Sequence, residues 1–208
     1  MCTRSCSGSW GLENSTRYGL LCTGEVSLLR FTKVFIFAAV CCVSVVSATA
    51  QIENWRGRVH DELPLLGHRN WIAVVDSAYP LQTSSGIETV ETNADQLEVV
   101  RSVLEELAHA KHVRPTIFTD AELKLVPESD APGVMAYREA LSNLLGKAGA
   151  QSLPHEQIIS KLDEAGKTFH ILVLKTNMTI PYTSVFLRLD CGYWTDEQEK
   201  RLRNAIGN

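Results

Sequence analysis

Four strand-length runs separated by segments of helical period constrain this chain most. "WIAVVD" (71–76), "VRPTIFTD" (113–120), "HILVLKT" (170–176) and "TSVFLRLDC" (183–191) are those runs. "WIAVVD" is apolar from its first residue to its last but one, the pattern of a strand covered on both faces. Between and around the runs lie amphipathic stretches. "IENWRGRVHDEL" reads as a short helix broken by Pro64. Thr92 and Asp95 form a capping-box pattern ahead of a helix over 93–110, with Leu97, Val100, Leu104, Leu107 and Ala108 on one face. Residues 133–148 read as a second amphipathic helix and "PHEQIISKLDEAG" as a third, stopped by Gly166. Thr195 and Gln198 make a capping box for a closing helix.

Strands separated by ten or more helical residues predict an α/β fold: a mainly parallel sheet flanked by helices, in one domain. Ligands of such sheets bind outside the carboxyl ends of the strands, and Asp76 stands at such an end. The chain has 208 residues, 45% hydrophobic and 21% charged, enough for a proper core and typical of a globular protein. A net charge of −4 points to neither nucleic acid nor an anionic membrane as a partner.

The first fifty residues read separately. Arg30 and Lys33 precede "VFIFAAVCCVSVVS" and then Ala48-Thr49-Ala50, a basic region, a short apolar region and a small-residue cleavage site. Residues 30–50 are therefore expected to be a secretory signal peptide, with export to the periplasm or outside the cell. Residues 1–29 show no hydrophobic period and are expected to be a disordered or non-native extension. A start assigned too far upstream would account for it, with Val26 as a candidate. The expected mature domain is 51–208. Five of the six cysteines precede Ala50, leaving only Cys191 in that domain, so no disulfide is expected within it.

Motifs for nucleotides and activated serines are missing: there is no GxGxxG, Walker loop or G-x-S-x-G elbow. His109 and His112 have ligand spacing, but no third ligand is near them, and no metal is expected. Asn177-Met178-Thr179 is a glycosylation sequon. "AELKLVPESDAPG" reads as a loop of ordinary surface charge. What remains is a dispersed polar set: His68, Asp76, His155 and Tyr182-Thr183-Ser184. Taken singly, each also has an ordinary structural role, as turn residue, cap, helix start or packed aromatic.

Three segments together resemble one family. "LGHRNWIAVVDSAYP", "LPHEQIISKL" and "VLKTNMTIPYTSVFL" are similar, in order, to the motifs of the ribose pyranase and fucose mutarotase family. The resemblance runs roughly from Leu66 to Cys191 and implies an α/β fold, assembly into rings, and sites near subunit boundaries. It implies no cofactor and no metal. His68 matches the proton donor, Asp76 and His155 match sugar-binding residues, and Tyr182, Thr183 and Ser184 match the tripeptide that contacts the sugar. The implied reaction interconverts anomers, or pyranose and furanose rings, of a monosaccharide such as ribose or fucose. Ring opening needs one proton delivered to the ring oxygen and another removed from the anomeric hydroxyl, which histidine does near neutral pH.

The chain departs from the family pattern at Ser184, where the family has asparagine, at Asn70, where it has an acid, and at Asn177 and Met178. It also adds the closing helix and the signal peptide. Two functions are carried forward: an exported mutarotase or pyranase, and a noncatalytic monosaccharide-binding protein on the same scaffold.

Overall fold

The computed structural model describes residues 54–207, apart from 147 and 148. The expected signal peptide and N-terminal extension, with five of the six cysteines, lie outside the described residues.

In chain order the elements are α1 (Asn54–Glu62), β1 (Trp71–Val75), β2 (Ile87–Glu91), α2 (Gln96–His109), β3 (Val113–Asp120), a 3₁₀ turn (Ala121–Leu125), α3 (Val134–Leu145), β4 (Ala150–Leu153), α4 (His155–Ala165), β5 (Ile171–Lys175), β6 (Val185–Cys191) and α5 (Asp196–Ile206). The strands form one six-stranded sheet in the order β2-β5-β1-β6-β3-β4. β5 runs parallel to both β2 and β1, and β3 runs parallel to β4. Only β6 is antiparallel to its neighbours, β1 and β3. The sheet is thus mainly parallel and flanked by helices.

Alternation of side chains along the strands sorts the core into two layers. Ile72, Val74, Leu172, Leu174 and Leu187 face α1, α2 and α3, which contribute Val59, Val100, Val103, Tyr137 and Leu141. Trp71, Ala73, Val75, Val173 and Phe186 face the other way, toward Ile158 and Leu162 of α4. Three helices therefore cover one face and one helix the other. All five residues of β1 are buried, as its unbroken apolar run predicts.

The helix over 93–110 starts later than its sequence pattern suggests. Asp95, not Thr92, is the N-cap: its carboxylate accepts from the backbone N–H groups of Leu97 and Glu98. Thr92 lies before the helix: its hydroxyl donates to the Lys175 carbonyl at 2.8 Å and accepts from the Ala94 N–H at 3.3 Å, holding the exit of β2 against β5. The buried face shifts accordingly, to Gln96, Val99, Val100, Val103 and Leu107. The box at α5 forms as its sequence predicts, Thr195 and Gln198 each satisfying the other's backbone N–H. No helix among the described residues is long and apolar enough to cross a membrane.

Candidate functional site

The carboxyl ends of β1 and β3, the start of α4 and the loop before β6 enclose a cleft of about 450 Å³. Asp76 through Pro80 form one wall, Thr179 through Tyr182 a second, and Asp120 and His155 also line it. Three residues singled out from the sequence, Asp76, His155 and Tyr182, are here brought together from positions far apart in the chain.

Each wall is fixed by a local device. Asp76 Oδ1 accepts from the Ala78 N–H at 2.9 Å, closing a turn straight after the strand. Ser77 donates its N–H to the Met178 carbonyl at 2.8 Å, so the two walls are tied to each other. Tyr182 adopts φ 58°, the left-handed region that tyrosine seldom occupies. Its neighbour enforces this. The Thr183 carbonyl is buried and accepts from the Tyr137 hydroxyl at 2.7 Å and from Gln96 Nε2 at 2.9 Å. Gln96 also donates to the Val74 carbonyl and accepts from the Thr176 hydroxyl, so one buried amide joins β1, β5 and the Tyr182 loop.

His155 opens α4. Pro154 precedes it and offers no capping side chain, and Glu122 substitutes from the 3₁₀ turn. Both Glu122 oxygens accept from the His155 N–H at 3.0 Å, which places negative charge at the helix start. The imidazole meets the Tyr182 ring edge-on, with centroids 5.7 Å apart and planes at 78°.

Behind His155 lies Asp120, which is 1% exposed. Its Oδ1 is 3.1 Å from His155 Nδ1, within ion-pair reach but without the alignment of a hydrogen bond. Neither carboxylate oxygen has a hydrogen-bond partner among the described residues. Burial pushes the carboxyl up to about 6, and the nearby imidazole pulls it only part of the way back. Burial likewise raises the Tyr79 hydroxyl to about 12.

Sequence reasoning missed Asp120 and read Glu122 as loop charge. A signal for the first was present: Asp120 ends "VRPTIFTD" as Asp76 ends "WIAVVD".

The remaining sequence-singled residues lie elsewhere. Thr183 and Ser184 are buried and do not line the cleft; the Thr183 hydroxyl donates to the Ile180 carbonyl at 2.8 Å. His68 sits at the amino end of β1, 56% exposed, with Nδ1 3.7 Å from Asp190 Oδ1. Asp190 is in turn held by the Thr116 hydroxyl and Arg188. His68 borders a separate hollow with Arg114, Asp190 and the α5 residues Asp196, Glu199 and Arg203.

Two other features compete for attention. A larger groove of about 670 Å³ runs beside α4, past Arg69, Trp71, Lys161 and Arg188. It is more open than the cleft, and it contains no buried carboxylate. Glu62, Glu88 and His170 bring ligand atoms within 4.8 Å of one another. Arg58 already pairs with both glutamates, Glu62 at 2.8 Å and Glu88 at 2.7 Å, so a guanidinium supplies the positive charge a metal would bring. His109 and His112 do not converge: Nδ1 of His109 meets its own helix at the Glu105 carbonyl, and His112 Nε2 lies 3.1 Å from the Leu63 and Leu66 carbonyls.

No protein-family model matches the chain, and no curated protein matches it. Among solved structures it is similar to Bacillus subtilis RbsD complexed with D-ribose, at 19% identity and a TM-score of 0.47 over 66% of this chain and 93% of that one. It is similar also to a fucose mutarotase from Streptococcus pneumoniae in complex with L-fucose, at 17% identity and a TM-score of 0.44 over 67% and 95% of the two chains. A third is FucU from Bifidobacterium longum, at 12% identity and a TM-score of 0.44 over 64% and 94%.

Proposed function

We propose that this chain is a monosaccharide mutarotase or pyranase, opening and reclosing the hemiacetal ring of a sugar held in the cleft at the carboxyl ends of β1 and β3. The observation that carries the reading is the convergence of Asp76, His155 and Tyr182 on one cleft beside a buried carboxylate whose oxygens accept no hydrogen bond among the described residues. A carboxylate and an imidazole can hold sugar hydroxyls, while the tyrosine offers an apolar face to the carbon skeleton. The three ordered motif resemblances favour the same substrate class.

His68 enters this reading only through a second copy. Opposite ends of an extended strand at about 3.3 Å per residue stand roughly 20 Å apart, too far for His68 and Asp76 to touch one sugar. A homo-oligomer in which one copy presents its exposed His68 to the cleft of the next would complete the site. His68 would then protonate the ring oxygen.

A noncatalytic monosaccharide-binding protein is the second reading. The remoteness of His68 from the cleft within one chain favours it. Exchange NMR on D-ribose, L-fucose and D-galactose separates the two. A mutarotase broadens or cross-saturates the anomeric signals beyond buffer alone, and His68→Ala lowers that effect by about 10²–10⁴-fold. Binding without exchange would replace the first reading by the second.

A further inference from the structure

We propose that Asp120 and His155 act as one proton-accepting unit in the cleft, with His155 taking the anomeric proton and Asp120 as its positioning residue. This rests on the mutarotase reading and names the half of the chemistry that His68 does not supply.

The geometry is that of a buried pair with spare capacity. Asp120 is 1% exposed and its Oδ1 lies 3.1 Å from His155 Nδ1. No hydrogen-bond partner inside the described residues accounts for either oxygen. A buried acceptor left in this state is costly unless something else uses it. A small rotation of the imidazole aligns Nδ1–H on the carboxylate, and a bound sugar touching His155 or Tyr182 supplies the reason for it. With Nδ1–H donating inward to Asp120, Nε2 keeps its lone pair for the ligand. Glu122 anchors the His155 backbone with both oxygens, and the Tyr182 ring stands edge-on to the imidazole, so the ring that accepts the proton is held from two sides.

The anomeric O–H proton passes to His155 Nε2, and the anomeric carbon becomes a carbonyl as its bond to the ring oxygen breaks. That electron pair stays on the ring oxygen, which takes a proton from the acid, His68 of a second copy. Rotation and reclosure on the other face return both protons. The imidazolium formed midway is stabilised by ionised Asp120.

The groups that face Asp120 are His155 from α4, Glu122 from the 3₁₀ turn, Asp76 from the end of β1 and Tyr79 from the loop after it. Of these only His155 brings positive charge. Acidification that neutralises Asp120 therefore removes the stabilisation of the imidazolium, and the exchange rate falls as the pH drops through about 6.

Exchange NMR on the full chain with D-ribose, from pH 5 to pH 8, tests this in wild type, Asp120→Asn, His155→Gln and the double variant. The expected result is a loss of roughly 10- to 100-fold in Asp120→Asn with ribose affinity retained, and a double variant no slower than His155→Gln alone. The acid limb moves to lower pH in the profile of Asp120→Asn, because the neutral amide no longer favours the imidazolium. Two results would overturn the unit: an Asp120→Asn rate and profile equal to wild type, or losses that multiply in the double variant. An Asp120→Asn chain that melts earlier and loses affinity in parallel would also overturn it, in favour of a merely structural carboxylate. Absence of exchange in wild type itself would instead remove the mutarotase reading, and the relay with it.

Discussion

Asp120 is the residue whose environment most needs a functional explanation. A buried carboxylate beside one imidazole is expensive to ionise, which is why its pKa rises to about 6 from an ordinary value of 3.8. Between those two values the folded chain holds a proton that the unfolded chain has released. The stability linked to this group is therefore fully present below about pH 4 and lost as the pH rises through about 6. Asp120→Asn removes the penalty and should raise the unfolding free energy at pH 7.5 by on the order of 1–3 kcal/mol. The gap to wild type should close by about pH 4. Urea titrations at the two pH values measure it, and a variant less stable than wild type at pH 7.5 would contradict the account. Tyr182 tells a related story through its backbone: a left-handed φ held by the carbonyl bonds of the next residue keeps the ring against His155. Neither property is visible in the letters Asp and Tyr, because both arise from what the fold packs around them.

Elements differed in how readily the sequence disclosed them. β1, β5 and β6 announce themselves because burial on both faces demands apolar residues at nearly every position. β2 and β4 do not. They are the two edges of the sheet, "IETVE" and "AQSL", half-buried or exposed, and a strand with few covered side chains carries little apolar signal. The late start of α2 is also poorly legible, since Thr92 and Asp95 are both acceptable caps by residue type and Thr92 is engaged with the Lys175 carbonyl across to β5. Gly86 marks where β2 enters the sheet beside the end of α4. A Cβ there would stand 2.5 Å from the Gly166 carbonyl and 2.9 Å from that of Phe169. Both obstacles are backbone, so Gly86→Ala should cost about 1–3 kcal/mol, the usual range for overpacking. Thermal melting would show the loss, and an unchanged midpoint would mean that the two chain segments do not pass so closely.

For the molecule as a whole, the sheet divides the polar set between its two ends. Asp76, Asp120, His155 and Tyr182 gather at the carboxyl ends of β1 and β3, and His68 with Asp190 lies at the opposite end of β1. The placement of Asp76 followed from strand polarity alone, because ligands of mainly parallel sheets sit beyond the carboxyl ends. The convergence of Asp76 with His155 and Tyr182 did not, since it depends on how α4 and the 179–182 loop return to that end. On the proposed function this cleft, and not the larger groove past Trp71 and Lys161, holds the sugar. Titrating D-ribose into isotope-labelled protein while following backbone amide signals tests it directly. Shifts are expected to concentrate at Ser77–Tyr79, His155 and Thr179–Tyr182, with Arg69, Trp71 and Lys161 unmoved. Shifts confined to the groove residues, with the cleft silent, would contradict it.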